Sequence, residues 1–319
     1  MKGGLFKYSI DHMMKKGLFA VLLAACLCAS GKGENVNPPK TLPGGWVYMW
    51  GDEFNGTKIN LKKWQPELGV VRNQGSQQTY TARPKNLRVK DGNLVLETHF
   101  EKFANINYKK SNAEWIKNTK FMPYTSGSVS TLKTKTFLFG RLEVRAKLPN
   151  KAKGIWPAIW LLGKNKWGWP TNGEIDMMEN ISQQPDVVYS TFHLSPDGVS
   201  KKDVSRGGTV KIDNLSDDFH IYVMEWDKDS IKLMVDDKLV KSIDLNTTNY
   251  ANGAGNPFRT PFYLILNSAV GGQWCEKAPE DGTGYPVEFL IDYVRFYQTK
   301  EHMEQAKQFD PETGLPKKK

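Results

Sequence analysis

LRVKDGNLVLET, residues 87–98, reads as two short strands folded around a turn. Leu87 and Val89 alternate with Arg88 and Lys90, and the apolar run resumes at Leu94, Val95 and Leu96. Alternation is the period of a strand, whose neighbouring side chains point to opposite faces. The interrupting Asp91-Gly92 is the residue pair that a two-residue hairpin turn favours. The same grammar recurs outward in both directions. GRLEVRAK (140–147) alternates, and Ile231, Leu233 and Val235 alternate before Asp236-Asp237 and a returning Leu239-Val240. Residues 219–226, 261–267 and 287–297 are further strands on this reading. No helix-period segment of convincing length and no internal repeat appears. The expectation is an all-β chain, a two-sheet antiparallel β-sandwich or jelly roll.

The chain has 319 residues, 39% of them hydrophobic and 24% charged, with 28 Gly and 10 Trp. That is too apolar for disorder and long enough for one large β domain. The net charge of +10 raises nucleic acid as a partner. Lys2, Lys7, Lys15 and Lys16 against Asp11 place +3 on the first 25 residues, 26–40 add +1 and 301–319 add none. The remaining +6 is dispersed over 41–300 without a basic run or a nucleic-acid motif, so that partner is rejected. Residues 1–25 read as a signal peptide, with Lys15-Lys16 before the apolar run from Leu18 to Leu23. Leu23-Ala24-Ala25-Cys26 resembles a bacterial lipobox, which makes Cys26 the lipidated residue and Met14 a more natural start than Met1. Residues 26–40, with Pro38-Pro39, read as a tether, 41–300 as the single folded domain and 301–319 as a polar tail. The scattered histidines lack zinc-site spacing, and a structural disulfide is not expected.

GEIDMMEN, residues 173–180, carries the chemistry. Glu174 and Asp176 share a strand face, whereas Glu179, five positions beyond Glu174, lies at an odd offset and in a regular strand would point to the opposite face. One extra residue at Met177-Met178 would return Glu179 to the face of Glu174, with the two Cα atoms roughly 13 Å apart at ~3.3 Å per residue. Two carboxyls leaning together to ~5–5.5 Å are what a retaining glycosidase uses. Trp156, Trp160, Trp167 and Trp169 stand just upstream, and indole faces suit the C–H faces of sugar rings.

The stretch 154–180 resembles the active-site region of glycoside hydrolase family 16, in its laminarinase-like branch. The resemblance extends over about residues 45–298, through WGDEFNG (50–56), YTARPKNLRVKDGNLVLET (80–98), STFH (190–193), NSAVGGQW (267–274) and FLIDYVRFYQ (289–298). It implies a jelly roll with a substrate cleft across its concave sheet. It implies Glu174 as nucleophile, Glu179 as general acid/base and Asp176 as the acid between them. Trp156, Trp160 and Trp274 match aromatic positions of the family cleft, and Asn86 and His193 match polar ones. Packing is the competing role for each, least so for Trp160 and most so for Trp274. No cofactor is required for catalysis, but Glu53, Gly92 and Asp292 match positions that hold a structural calcium in relatives, mainly through backbone oxygens, a turn or salt bridge being the alternative. Ser268, Cys275 and an insertion from Phe103 to Thr125 depart from the family pattern and bear on subsite specificity.

The expected activity is endo-hydrolysis, with retention, of β-1,3- or mixed-linkage β-1,3/1,4-glucan. An agarase- or porphyranase-like galactan hydrolase and a non-catalytic glycan-binding surface lipoprotein are the alternatives. The expected setting is a monomer exported across the inner membrane and touching a membrane only through its lipid, at the outer membrane, cell surface or periplasmic face, with a polysaccharide as partner.

Overall fold

The computed structural model describes residues 37–317 except residue 73, so the signal peptide, Cys26 and most of the tether lie outside the described residues. The hairpin forms as its sequence dictates. Leu87–Lys90 pairs with Asn93–Ala104, Lys90 opposite Asn93, and Asp91 and Gly92 turn the chain at φ 51° and 74°. Ser230–Val235 and Lys238–Asp244 repeat the device around Asp236 and Asp237, both at positive φ. Gly140–Lys147 has the bounds read from sequence, and the other expected strands appear as His220–Trp226, Phe262–Val270 and Val287–Gln298.

These strands build two sheets. One has seven strands in the order Val204–Lys211, Val187–Leu194, Glu174–Glu179, Ile155–Gly163, Phe262–Val270, Ser128–Ser130 and Gln65–Pro66, all antiparallel. The other has eleven strands, with Val287–Gln298 and Gly140–Lys147 at its centre. Between the sheets lies the core, including Leu142, Val144, Ile175, Phe192, Leu264 and Phe289, all fully buried. Burying each such side chain contributes about 1.5–3 kcal/mol. The pairing is antiparallel except where Gln78–Tyr80 runs parallel to Phe121–Ser126.

At Gly127 the chain passes from one sheet to the other, between Phe121–Ser126 and Ser128–Ser130. A Cβ there would sit 2.5 Å from the carbonyl oxygen of Asn86, so only glycine lets the two backbones approach so closely.

Residues 301–319, read as a polar tail, are a correction as far as they are described. Lys300–Lys307 is a helix capped by Thr299, whose hydroxyl accepts the His302 N–H, with Glu301 in its first turn and Lys307 in its last. Beyond it Phe309 is buried edge-on against Phe139 with ring centroids 5.8 Å apart, closing one end of the core. A single buried aromatic leaves a segment polar in composition while fixing it to the domain.

Candidate active site

The strand Glu174–Glu179 carries Ile175, Met177 and Met178 into the core, all at 1% exposure or less. Strict alternation cannot bury two adjacent methionines. It would turn Met178 outward and drive the Glu179 carboxylate into the core, at a cost of several kcal/mol for an unpaired charge. A bulge resolves the conflict. Across the strand Val187–Leu194, Asp176 faces Thr191 and Glu179 faces Tyr189, so three steps on one strand match two on the other. On the opposite side Trp160 and Ile159 face Asp176 and Met178 in the same uneven way. Glu174, Asp176 and Glu179 consequently line one cleft of about 570 Å³ on the outer face of the seven-stranded sheet.

Each acid is held by its surroundings. The indole N–H of Trp169 donates to Glu174 Oε2 at 2.7 Å, and that of Trp156 donates to Glu179 Oε1 at 3.0 Å. His193 stands directly across from Glu174 in the register. Its Nε2 lies 3.3 Å from Asp176 Oδ2, and its Nδ1 lies 2.8 Å from Asp203 Oδ2. Asp176 is 2% exposed, and its Oδ2 is buried without a hydrogen-bond partner.

Burial and mutual repulsion raise the whole cluster. Burial pushes Glu179 up to about 7, against the pull of the Trp156 N–H. Burial, then the charge of Asp176, lifts Glu174 well above the usual carboxylate range, and burial followed by Glu179 does the same for Asp176. Neighbouring carboxylates in a site of low polarity cannot all ionise together. The arrangement can therefore hold a proton near neutral pH beside a carboxylate able to attack, which is the division of labour in retaining glycoside hydrolysis.

A sequence model of the glycosyl hydrolases family 16 matches residues 74–295. The chain belongs to glycoside hydrolase family 16. It is 35% identical over 300 residues to a β-glucanase of Rhodothermus marinus, covering 91% of this chain and 96% of that protein. It is 29% identical over 260 residues to a keratan-sulfate endo-1,4-β-galactosidase of Sphingobacterium multivorum, covering 78% of this chain and 54% of that protein. A solved structure from work on endo-acting O-glycanases, with which prominent members of the human gut microbiota initiate mucin breakdown, is 87% identical. That likeness covers 88% of this chain and 100% of the other, with a TM-score of 0.86.

Within this family-16 hydrolase the other expected residues divide. Trp156, Trp160, His193 and Trp274 all line the cleft. The order of packing roles among the tryptophans is reversed from expectation. Trp160 is 8% exposed, tied by its N–H to Asn267 and covered by the Arg72 guanidinium 5.0 Å from its ring. Trp274 is 40% exposed, braced edge-on by Trp156 and Tyr189. Asn86 is a correction. It is fully buried away from the cleft, its amide donating to the Glu97 carbonyl and to Thr125 while its oxygen accepts from Arg83. A buried amide that satisfies this many backbone and side-chain partners holds a loop in place and does not reach substrate.

At the positions matched to a calcium site, the two carboxylates are engaged by arginines. Glu53 takes both of its oxygens to Arg295, at 3.0 and 2.6 Å, and Asp292 pairs with Arg145 at 2.6 Å. Those pairs leave backbone oxygens as the ligands that these positions could offer a calcium ion. Gly92 serves the hairpin turn.

Sequence reading missed several cleft residues, among them Arg72, Asp203 and Trp169 as a partner of Glu174. Trp169 had a visible signal, five residues before Glu174 in a tryptophan-rich stretch. Asp203 had none, because it reaches His193 from the neighbouring chain segment at the head of the edge strand Val204–Lys211.

Proposed function

We propose that this family-16 hydrolase cuts internal β-linkages of a glycan chain with retention, Glu174 attacking the anomeric carbon and Glu179 serving as acid and then base. The bulge carries this reading, because it returns Glu179 to the face of Glu174 while burial keeps it protonated near pH 7. Protonated Glu179 delivers its proton to the leaving oxygen as Glu174 forms the glycosyl-enzyme bond. The resulting carboxylate then draws a proton from the water that releases the sugar. Asp176 lies beside Glu174 and shares protons with it, so that the nucleophile can carry the negative charge.

For substrate, the 87% identical structure weighs most, since its identity is far above that of the 35% identical β-glucanase. It favours the chains of mucin-type O-glycans, cut from within. The galactosidase relative is consistent with a galactosyl linkage there. β-1,3- or mixed-linkage glucan is the second reading, favoured by the 35% identical β-glucanase and by a cleft walled with indoles. Purified protein incubated with mucin, keratan-type chains, laminarin, barley glucan and agarose decides between them by mass analysis of the products. Oligosaccharides from mucin with laminarin intact support the first reading, and the reverse outcome replaces it with the second. Proton NMR of the nascent reducing end should show the β-anomer first.

We also propose that Cys26 is lipidated and that its tether keeps a monomeric catalytic domain beside a membrane surface; the lipobox supports this. A palmitate analogue should label the wild type and not Cys26→Ala, and equal labelling of both would refute it.

A further inference from the structure

We infer that Glu174, Asp176 and His193 form a binding site for a zinc-class divalent cation within the cleft. The three offer one ligand atom each, all within 4.8 Å of one another. His193 Nε2 and Asp176 Oδ2 are 3.3 Å apart, which is about the edge of a tetrahedron whose metal–ligand bonds are ~2.0–2.1 Å. That contact is not a hydrogen bond, and Oδ2 is buried with no other partner, so a lone pair on a nearly inaccessible carboxylate is left unused. Such an orphan acceptor beside an imidazole is a place for a cation.

The surroundings orient these ligands as the outer shell of a metal site does. Asp203 accepts from His193 Nδ1 at 2.8 Å, which places the imidazole lone pair on Nε2, facing Asp176. Trp169 holds Glu174 by Oε2, beside Asp176. Two carboxylates and one imidazole suit zinc, which takes mixed nitrogen and oxygen ligands in fours and leaves the fourth position to water. Magnesium and calcium require six or more oxygens and find too few here. A cation in this place claims the Glu174 carboxylate. If Glu174 is the nucleophile, as proposed above, zinc is therefore a reversible inhibitor that competes with substrate.

Calorimetry of chelator-treated protein titrated with zinc chloride tests the site independently of activity. The expected result is one saturable site, lost by 100-fold or more in His193→Gln and weakened about 10–100-fold in Asp203→Asn. Cobalt(II) should give the intense visible bands of a four-coordinate ion in the wild type alone, and millimolar magnesium or calcium should displace neither metal. Thermal melts of each variant establish folding, and if His193→Gln does not fold, Asp203→Asn carries the test. Absence of saturable zinc binding below millimolar concentration overturns the inference. So does unchanged affinity in the folded His193→Gln, since zinc would then sit on another pair such as His220 with Asp236. Binding that disappears with His193 but leaves hydrolysis untouched upholds the metal site and counts instead against Glu174 as nucleophile.

Discussion

The outward faces of the two sheets both carry sheltered acids, and they treat them in opposite ways. On the eleven-stranded sheet these acids meet cations, mostly arginines, Asp52 being paired with Lys63 at 3.7 Å. Glu143 and Glu225 flank Arg141 at 2.7 and 2.6 Å, Asp292 takes Arg145, and Glu53 takes Arg295, which also stacks on Tyr293. On the seven-stranded sheet Glu174, Asp176 and Glu179 meet indole N–H groups, one histidine and one another. Charge met by charge serves structure. Charge crowded with its own sign and packed against tryptophan rises toward neutral pH and serves proton transfer. Deeper burial together with the missing cationic partner separates the two.

The largest way to sharpen that contrast is to remove the acids of the cleft. Glu174→Ala should lose more than the ~10²–10⁴-fold that acid–base assistance supplies, and azide should restore turnover with inverted product. Glu179→Ala should lose about 10²–10⁴-fold on natural glycans and far less on activated aryl glycosides, with azide giving retained product. Equal losses on both substrate types, measured by steady-state kinetics, would separate Glu179 from the leaving group.

Arginine removal on the other face should cost stability and spare chemistry. Arg295→Ala leaves Glu53 sheltered without its partner, and breaking a buried pair from one side costs about 3 kcal/mol. Denaturant melts should record that loss while kcat per folded molecule stays at the wild-type level. A matching fall in kcat would mean that the two faces are coupled.

A smaller effect concerns pH. Glu179 sits at about 7 in the fold, against about 4.3 in an unfolded chain. Between those values the folded chain keeps a proton that the unfolded chain has released. Stability therefore falls as pH rises from about 4 to about 7, and stays reduced above that. Glu179→Gln removes the penalty, and should melt higher than the wild type at pH 8, by on the order of 2 kcal/mol, with no gain at pH 4. An equal gain at both pH values would place the cause in packing. The alkaline limb of kcat/KM should fall through the same pH 7.

The smallest effect belongs to the exposed platform. Trp274→Ala should raise KM by about 2–10-fold through loss of ~0.5–1.5 kcal/mol of stacking, leaving kcat nearly unchanged. On uncharged glycan that KM should barely move between low and moderate salt, whereas a sulfated chain would bind more weakly as salt rises.

What the sequence disclosed was local. Asp91-Gly92 and Asp236-Asp237 announced their hairpins because a tight turn needs positive φ at adjacent residues and few residue types supply it. The bulge was legible because Met177-Met178 breaks an otherwise alternating strand between acids. The parts that stayed hidden depend on partners far along the chain. Asn86 looked like a cleft amide and is a strut for Glu97 and Thr125, and Asp203 becomes part of the site only through His193. The terminal helix escaped because eight residues are barely two turns, too few for a periodic signal.

The hairpin from Phe103 to Thr125 bears on how such a hydrolase diversifies. Its strands close at Ala104 opposite Phe121, and the residues between them touch the cleft wall through Asn107, whose amide donates to the Val70 carbonyl two residues before Arg72. Doubling a loop beyond a closed register costs only about 0.6 kcal/mol. The segment can therefore lengthen, shorten or be replaced while the bulged acid strand keeps its register on the other sheet. One catalytic strand can in this way be inherited unchanged by a lineage whose members meet different glycans, with selection acting on the hairpin tip alone.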